Sequence, residues 1–112
     1  MNRYLTIPEE DILSDPEAAA NVILHAVRRK IPYRFQAIVP LGETILVTLS
    51  RSSEGPYPDQ FIFAPFRSCS ADAVAAEINS REQAGQNILS SFFINSVLWG
   101  FYAVYAEEEE MV

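Results

Sequence analysis

From Ala20 onward, apolar side chains recur at Ala20, Ile23, Leu24, Val27 and Ile31, with Val22 and Ala26 beside them. This three-four spacing marks one buried helical stripe. Just upstream, Ser14-Asp15-Pro16-Glu17 combines a serine cap, a glutamate three residues later and a proline in the opening turn, which together predict the helix start. Arg28, Arg29 and Lys30 fall at the negative end of the helix dipole, and Pro32 stops the helix. The period then changes to two. Tyr33, Phe35, Ala37 and Val39 alternate with Arg34, Gln36 and Ile38, Pro40 to Glu43 turns the chain, and Ile45, Val47 and Leu49 alternate with Thr44, Leu46 and Thr48. That pattern predicts a hairpin with one buried face, the face of Tyr33, Phe35, Ala37 and Val39.

A polar loop from Arg51 to Gln60 leads to a third strand, Phe61 to Phe66, which Pro65 either ends or confines to a sheet edge. Ser70 caps a second predicted helix that Gly85 closes. Its stripe of Ala71, Val74, Ala75 and Ile78 is narrow and small enough to lie close on a sheet.

From Gln83 to Ala106 no side chain is charged. A membrane-spanning helix needs about 20 predominantly apolar residues, whereas this window contains Gln83, Gly85, Gln86, Asn87, Ser90, Ser91, Asn95 and Ser96. Its apolar residues are strand formers: Phe92, Phe93 and Ile94, then Val97, Trp99, Phe101, Tyr102, Val104 and Tyr105, with Asn95-Ser96 as a turn. Two strands are expected. The second is apolar on both faces, since Val97, Trp99, Phe101 and Tyr105 alternate with Leu98, Tyr102 and Val104. If helices cover one side of the sheet only, the other side needs a second copy or a partner. The expected interface is Phe93, Val97, Trp99, Phe101 and Tyr105.

The element order is helix, three strands, helix, two strands, an α+β chain. The expected arrangement is a five-stranded, mostly antiparallel sheet with two helices packed on one face. The chain reads as a single α+β domain over residues 1–112, with 107–112 a mobile acidic tail.

Composition adds bounds. Hydrophobic residues make up 49% and charged residues 21% of the 112, a globular balance rather than a disordered one. The formal net charge is −7, but Glu107 to Glu110 supply four of the fifteen acids, so the rest is only mildly acidic. That is poor equipment for neutralising phosphates. Cys69 is the only cysteine, which excludes an internal disulfide and a cysteine-built zinc site. The first residues lack the layout of a signal peptide and the basic character of a transit peptide. A cytoplasmic location is expected.

Candidate chemistry is sparse. His25 falls on the polar side of the first helix, and Cys69 precedes the cap of the second, where it reads as a small buried thiol. A dyad of the two would be the minimum for covalent catalysis. Arg28, Arg29 and Arg34, interleaved with Tyr33 and Phe35, form a candidate anion contact, against charges that simply complement the helix end. No metal ligand set, cofactor motif or phosphate-cradling glycine loop is recognised. Two readings follow. The first is a non-enzymatic interaction domain, adaptor, chaperone-like or regulatory, that forms a homodimer or takes a protein partner through its C-terminal aromatic strands, with neither nucleic acid nor membrane as target. The alternative is a small-molecule-binding domain or enzyme whose pocket is lined by Tyr33, Phe35, Phe61, Phe63 and Trp99.

Overall fold

The computed structural model describes residues 2–27, 32–52 and 56–105. Among these residues the chain is α+β, with six strands and three helices: β1 (Asn2–Pro8), α1 (Glu9–Ser14), α2 (Pro16–Val27), β2 (Tyr33–Leu41), β3 (Thr44–Arg51), β4 (Pro58–Pro65), α3 (Ala71–Gln83), β5 (Asn87–Ile94) and β6 (Val97–Tyr105). The strands form two antiparallel three-stranded sheets, ordered β1-β3-β2 and β4-β6-β5. The expected single five-stranded sheet is therefore corrected in two ways. An unforeseen strand and short helix, β1 and α1, precede the expected first helix, so the described residues form three helices and not two, and the last two strands join β4 in a sheet of their own. The acidic segment 107–112 lies outside the described residues.

Several elements form where the pattern placed them. Ser70 caps α3, its Oγ accepting from the Ala73 amide at 3.4 Å, and Gly85 follows at φ +83°. Asn95 and Ser96 both adopt positive φ, 48° and 69°, giving the two-residue turn whose twist suits a hairpin. The cap of α2 differs. Asp15 Oδ1 accepts from the Ala18 amide at 3.1 Å, while Ser14 Oγ turns back and donates to the Glu10 carbonyl at 2.9 Å in α1. The carboxylate one residue closer to Pro16 takes the capping role, and the serine finishes the short helix before it.

The alternation read along β2 also breaks. Its register against β3 shifts between Phe35 and Ala37. One extra residue in a strand reverses every later side chain. Tyr33 and Ile38 are buried, and Val39, expected inside, is exposed.

One core joins both sheets. It contains Ile7 of β1, Ile12 of α1, Ala19, Ala20, Ile23, Ala26 and Val27 of α2, Ile45, Val47 and Leu49 of β3, and Phe61, Phe63, Phe92, Ile94, Trp99, Phe101 and Ala103 of the second sheet. A second, smaller cluster lies on the opposite face of that sheet: Ala64, Phe66 and Tyr102, against which Ile62, Ile88, Leu98 and the α3 residues Val74 and Ile78 pack. The helices therefore do not share a face. α2 packs on the inner side of the second sheet, beside β4, and α3 covers its outer side.

Candidate functional site

The placement of α3 answers the question raised by the apolar strand β6. Its inward residues Trp99, Phe101 and Ala103 enter the main core, and its outward residues Leu98 and Tyr102 lie under α3. The chain covers both faces of β6 itself, which removes the physical motive for self-association through that strand. Of the expected interface, Trp99 and Phe101 are buried and offer nothing to a partner, and Tyr105 is half-buried against the core. Phe93 and Val97, 54% and 43% exposed, flank the β5–β6 turn and remain accessible.

Arg81 fastens α3 to the sheet. Its guanidinium stacks 4.6 Å from the Tyr102 ring centroid, Nη1 donates to Gln86 Oε1 at 2.7 Å, and Nε lies 3.4 Å from Glu77 Oε2. The Tyr102 ring lies along β6 over Gly100, where a Cβ would come within 2.5 Å of the hydroxyl oxygen. That oxygen is buried and has no hydrogen-bond partner among the described residues. Burial raises the Tyr102 pKa above its ordinary 10.0, Arg81 opposes the rise, and Glu77 adds to it.

The remaining described sequence candidates are dispersed. Arg28 and Arg29 lie outside the described residues. Arg34 stacks 3.6 Å from the Tyr57 ring centroid and donates to the Tyr33 carbonyl at 3.4 Å. Cys69, read as buried, is exposed. Phe66 beside it turns into the smaller cluster, and the loop runs over the surface to the Ser70 cap. His25 is exposed on α2, across the second sheet from Cys69 and α3. The aromatic residues expected to line a pocket all pack in or against the core, and Phe35 and Phe61 also border a cleft with Arg34, Leu89 and Tyr105. Phe101 packs at ring-centroid separations of 5.1, 4.8 and 4.7 Å from Phe35, Phe61 and Phe63, while Tyr33 and Trp99 are buried in the same core. Among the described residues no group of three histidine, cysteine or carboxylate side chains comes together, and no helix is long and apolar enough to cross a membrane.

What stands open is the first sheet, at its outer face and at one edge. Pairing across the sheet sets Thr6, Leu46 and Val39 in one outward row, Tyr4, Thr48 and Ala37 in the next, and Pro8, Thr44 and Leu41 in a third. No described element packs on this face, and Tyr4 and Leu41 are more than half exposed. Along the β1 edge a groove runs between the strand and α2. Arg3 and Leu5 face Ala18, Asn21, Val22, His25 and Ala26 in a space of about 490 Å³, and the groove continues past Ile7 and Pro8 to Asp11, Ser14 and Asp15. Its floor is made by alanines because α2 carries small residues on the flank turned to β1, and Val22 on its rim is 55% exposed. Charge is divided along its length, with Arg3 at one end and Asp11 and Asp15 at the other.

Sequence reasoning placed His25 on the polar side of the helix that is α2 but missed the groove, because the groove exists only once β1 is recognised. The signal was present in Tyr4-Leu5-Thr6-Ile7, a run of strand formers bounded by Pro8. Comparison with protein-family models, with curated proteins and with solved structures finds nothing that matches this chain.

Proposed function

We propose that this chain is a non-enzymatic protein-interaction module that takes its partner by strand addition at β1. An unpaired strand edge presents a row of amides and carbonyls that templates another strand, and natural sheets blunt such edges with prolines and bulges. Three of the four edge strands here are blunted. β2 has a bulge and Pro40, β4 has prolines at both ends and a bulge, and β5 has a bulge between Ile88 and Ser90. The carrying observation is that β1, alone of the four described edge strands, has no bulge. It pairs with β3 through seven consecutive residues, Asn2 to Pro8, without a register shift and with proline only at its last position.

The groove beside it supports the same reading, since side chains of an added strand that point inward would enter the space between β1 and α2. Main-chain pairing supplies affinity in this mode, and the groove selects alternate side chains. The separation of His25 from Cys69 favours binding over catalysis. A photo-crosslinking residue at Thr6, on the exposed edge strand, tests the proposal in the cell of origin. Protein adducts are expected there and not from Asn79 on the exposed side of α3. Equal or absent adducts at the two positions would remove the proposal.

A further inference from the structure

We infer that the strand added to β1 is β1 of a second copy, the two related by a twofold axis that passes beside Leu5. The inference rests on the strand-addition reading and names its partner.

The charge division of the groove carries the argument. β1 and α2 run antiparallel: Arg3 lies near His25 at one end, and Pro8 lies near Asp11 and Asp15 at the other. A twofold axis reverses the second copy, so its acidic end falls on the first copy's basic end, twice per dimer. Two copies in parallel would set like charges together. The interface is self-complementary only in the antiparallel sense, as a closed twofold contact requires.

With Leu5 opposite Leu5 of the second copy, Arg3 lies across from the second copy's Ile7, beside its Asp11 and Asp15. Tyr4 falls opposite the second copy's Thr6 on the outer face. The exposed flank of α2 repeats the logic one layer away. Ala18, Asn21, Val22 and His25 are spaced by three and four along the helix. Neighbouring β1 strands would set this stripe, with Ala18 and Val22 at its apolar positions, against its own copy. The first sheet would become six-stranded, and its one unblunted edge would be paired.

Sedimentation of the purified full chain over a range of concentrations tests the inference, with a charge exchange as control. Arg3→Glu and Asp11→Lys are each expected to weaken dimerisation at least about tenfold by setting like charges together at two symmetric places. The double variant, which restores opposite charges, is expected to recover to within about threefold of the parent. Val22→Glu, at an exposed position, should give monomer while leaving the melting temperature of the monomer unchanged. Arg3 also stacks 5.9 Å from the Tyr33 ring centroid, but the double variant lacks that contact too, so its recovery isolates the intermolecular pair. A strictly monomeric parent overturns the inference, as does a dimer indifferent to Val22→Glu and to the exchange. A monomeric parent that still gives adducts with a different protein from Thr6 overturns the second copy and leaves strand addition standing. No adducts and no dimer remove both.

Discussion

Gly100→Ala tests whether α3 really closes the outer face of the second sheet. A methyl group at position 100 would meet the Tyr102 hydroxyl oxygen at 2.5 Å and the ring carbons Cε1 and Cζ at 2.7 Å, well inside the 3.4 Å at which ordinary contact begins. The ring is fully buried, with the Arg81 guanidinium on it. It can give way only by lifting α3. Overpacking of this kind costs about 1–3 kcal/mol. Replacing a strand glycine returns about 0.5–1 kcal/mol through the unfolded chain, so the net loss should be about 0.5–2 kcal/mol. For a chain of this size that lowers the melting temperature by roughly 2–8 °C. Urea unfolding followed by Trp99 fluorescence measures it, because Trp99 is the only tryptophan and is buried. The same change in a Tyr102→Val background, where no ring lies over the glycine, should be neutral or slightly stabilising, giving a coupling of about 1–3 kcal/mol. A cost below about 0.5 kcal/mol in the parent, or one undiminished in the Tyr102→Val background, would refute the packing argument.

Tyr102→Phe removes a buried hydroxyl that has no partner among the described residues, so stability at neutral pH should be unchanged or raised by up to about 1 kcal/mol in thermal unfolding. The folded state keeps the Tyr102 proton beyond the ordinary pKa of 10.0 while the unfolded chain releases it. The parent should therefore lose stability as pH rises past 10, and the phenylalanine variant should lose less. Asp15→Ala should cost about 1 kcal/mol in urea unfolding through loss of the α2 cap, whereas Ser14→Ala should cost clearly less. A reversed order would return the capping role to the serine. Ser96→Gly places the residue that best tolerates φ of 69° in the β5–β6 turn and should raise the melting midpoint, by about 0.5–1 kcal/mol in free energy.

What could be read from the residues was local. The Asn95-Ser96 turn, the Ser70 cap and the termination of β4 at Pro65 depend on neighbours within a few positions, and each formed where the pattern put it. The bulge at Gln36 left no mark in composition, and it turned Val39 outward against the alternation. The larger difference concerns α3. Of its stripe, Val74 and Ile78 pack on the sheet while Ala71 and Ala75 are exposed, and no local pattern states which face the helix covers. That choice follows from chain topology, since α3 connects β4 to β5, neighbours of β6 on either side, and crosses the sheet on the side away from α2. The groove was least legible of all. It is built from the short strand β1 and a helix flank that reads as polar surface in isolation.

Whether a partner meets the first sheet on its face or at its edge can be decided from the residues that face solvent. The outward rows alternate apolar side chains with Thr6, Thr44, Thr48 and Ser50, a surface that water tolerates. Tyr4, Val39 and Leu41 are spread among these hydroxyls, and apolar side chains scattered in that way are normal on a soluble surface. Nothing on the face penalises leaving it wet. The edge differs, because each amide and carbonyl of β1 turned away from β3 is a directional group that a second strand satisfies in register. A partner drawn to the face alone would tolerate many orientations, whereas one drawn to the edge is fixed by the strand and then by the charges at either end of the groove. Under the proposed strand addition, specificity would reside at β1, and Tyr4 and the threonines would become the surface that an added strand extends.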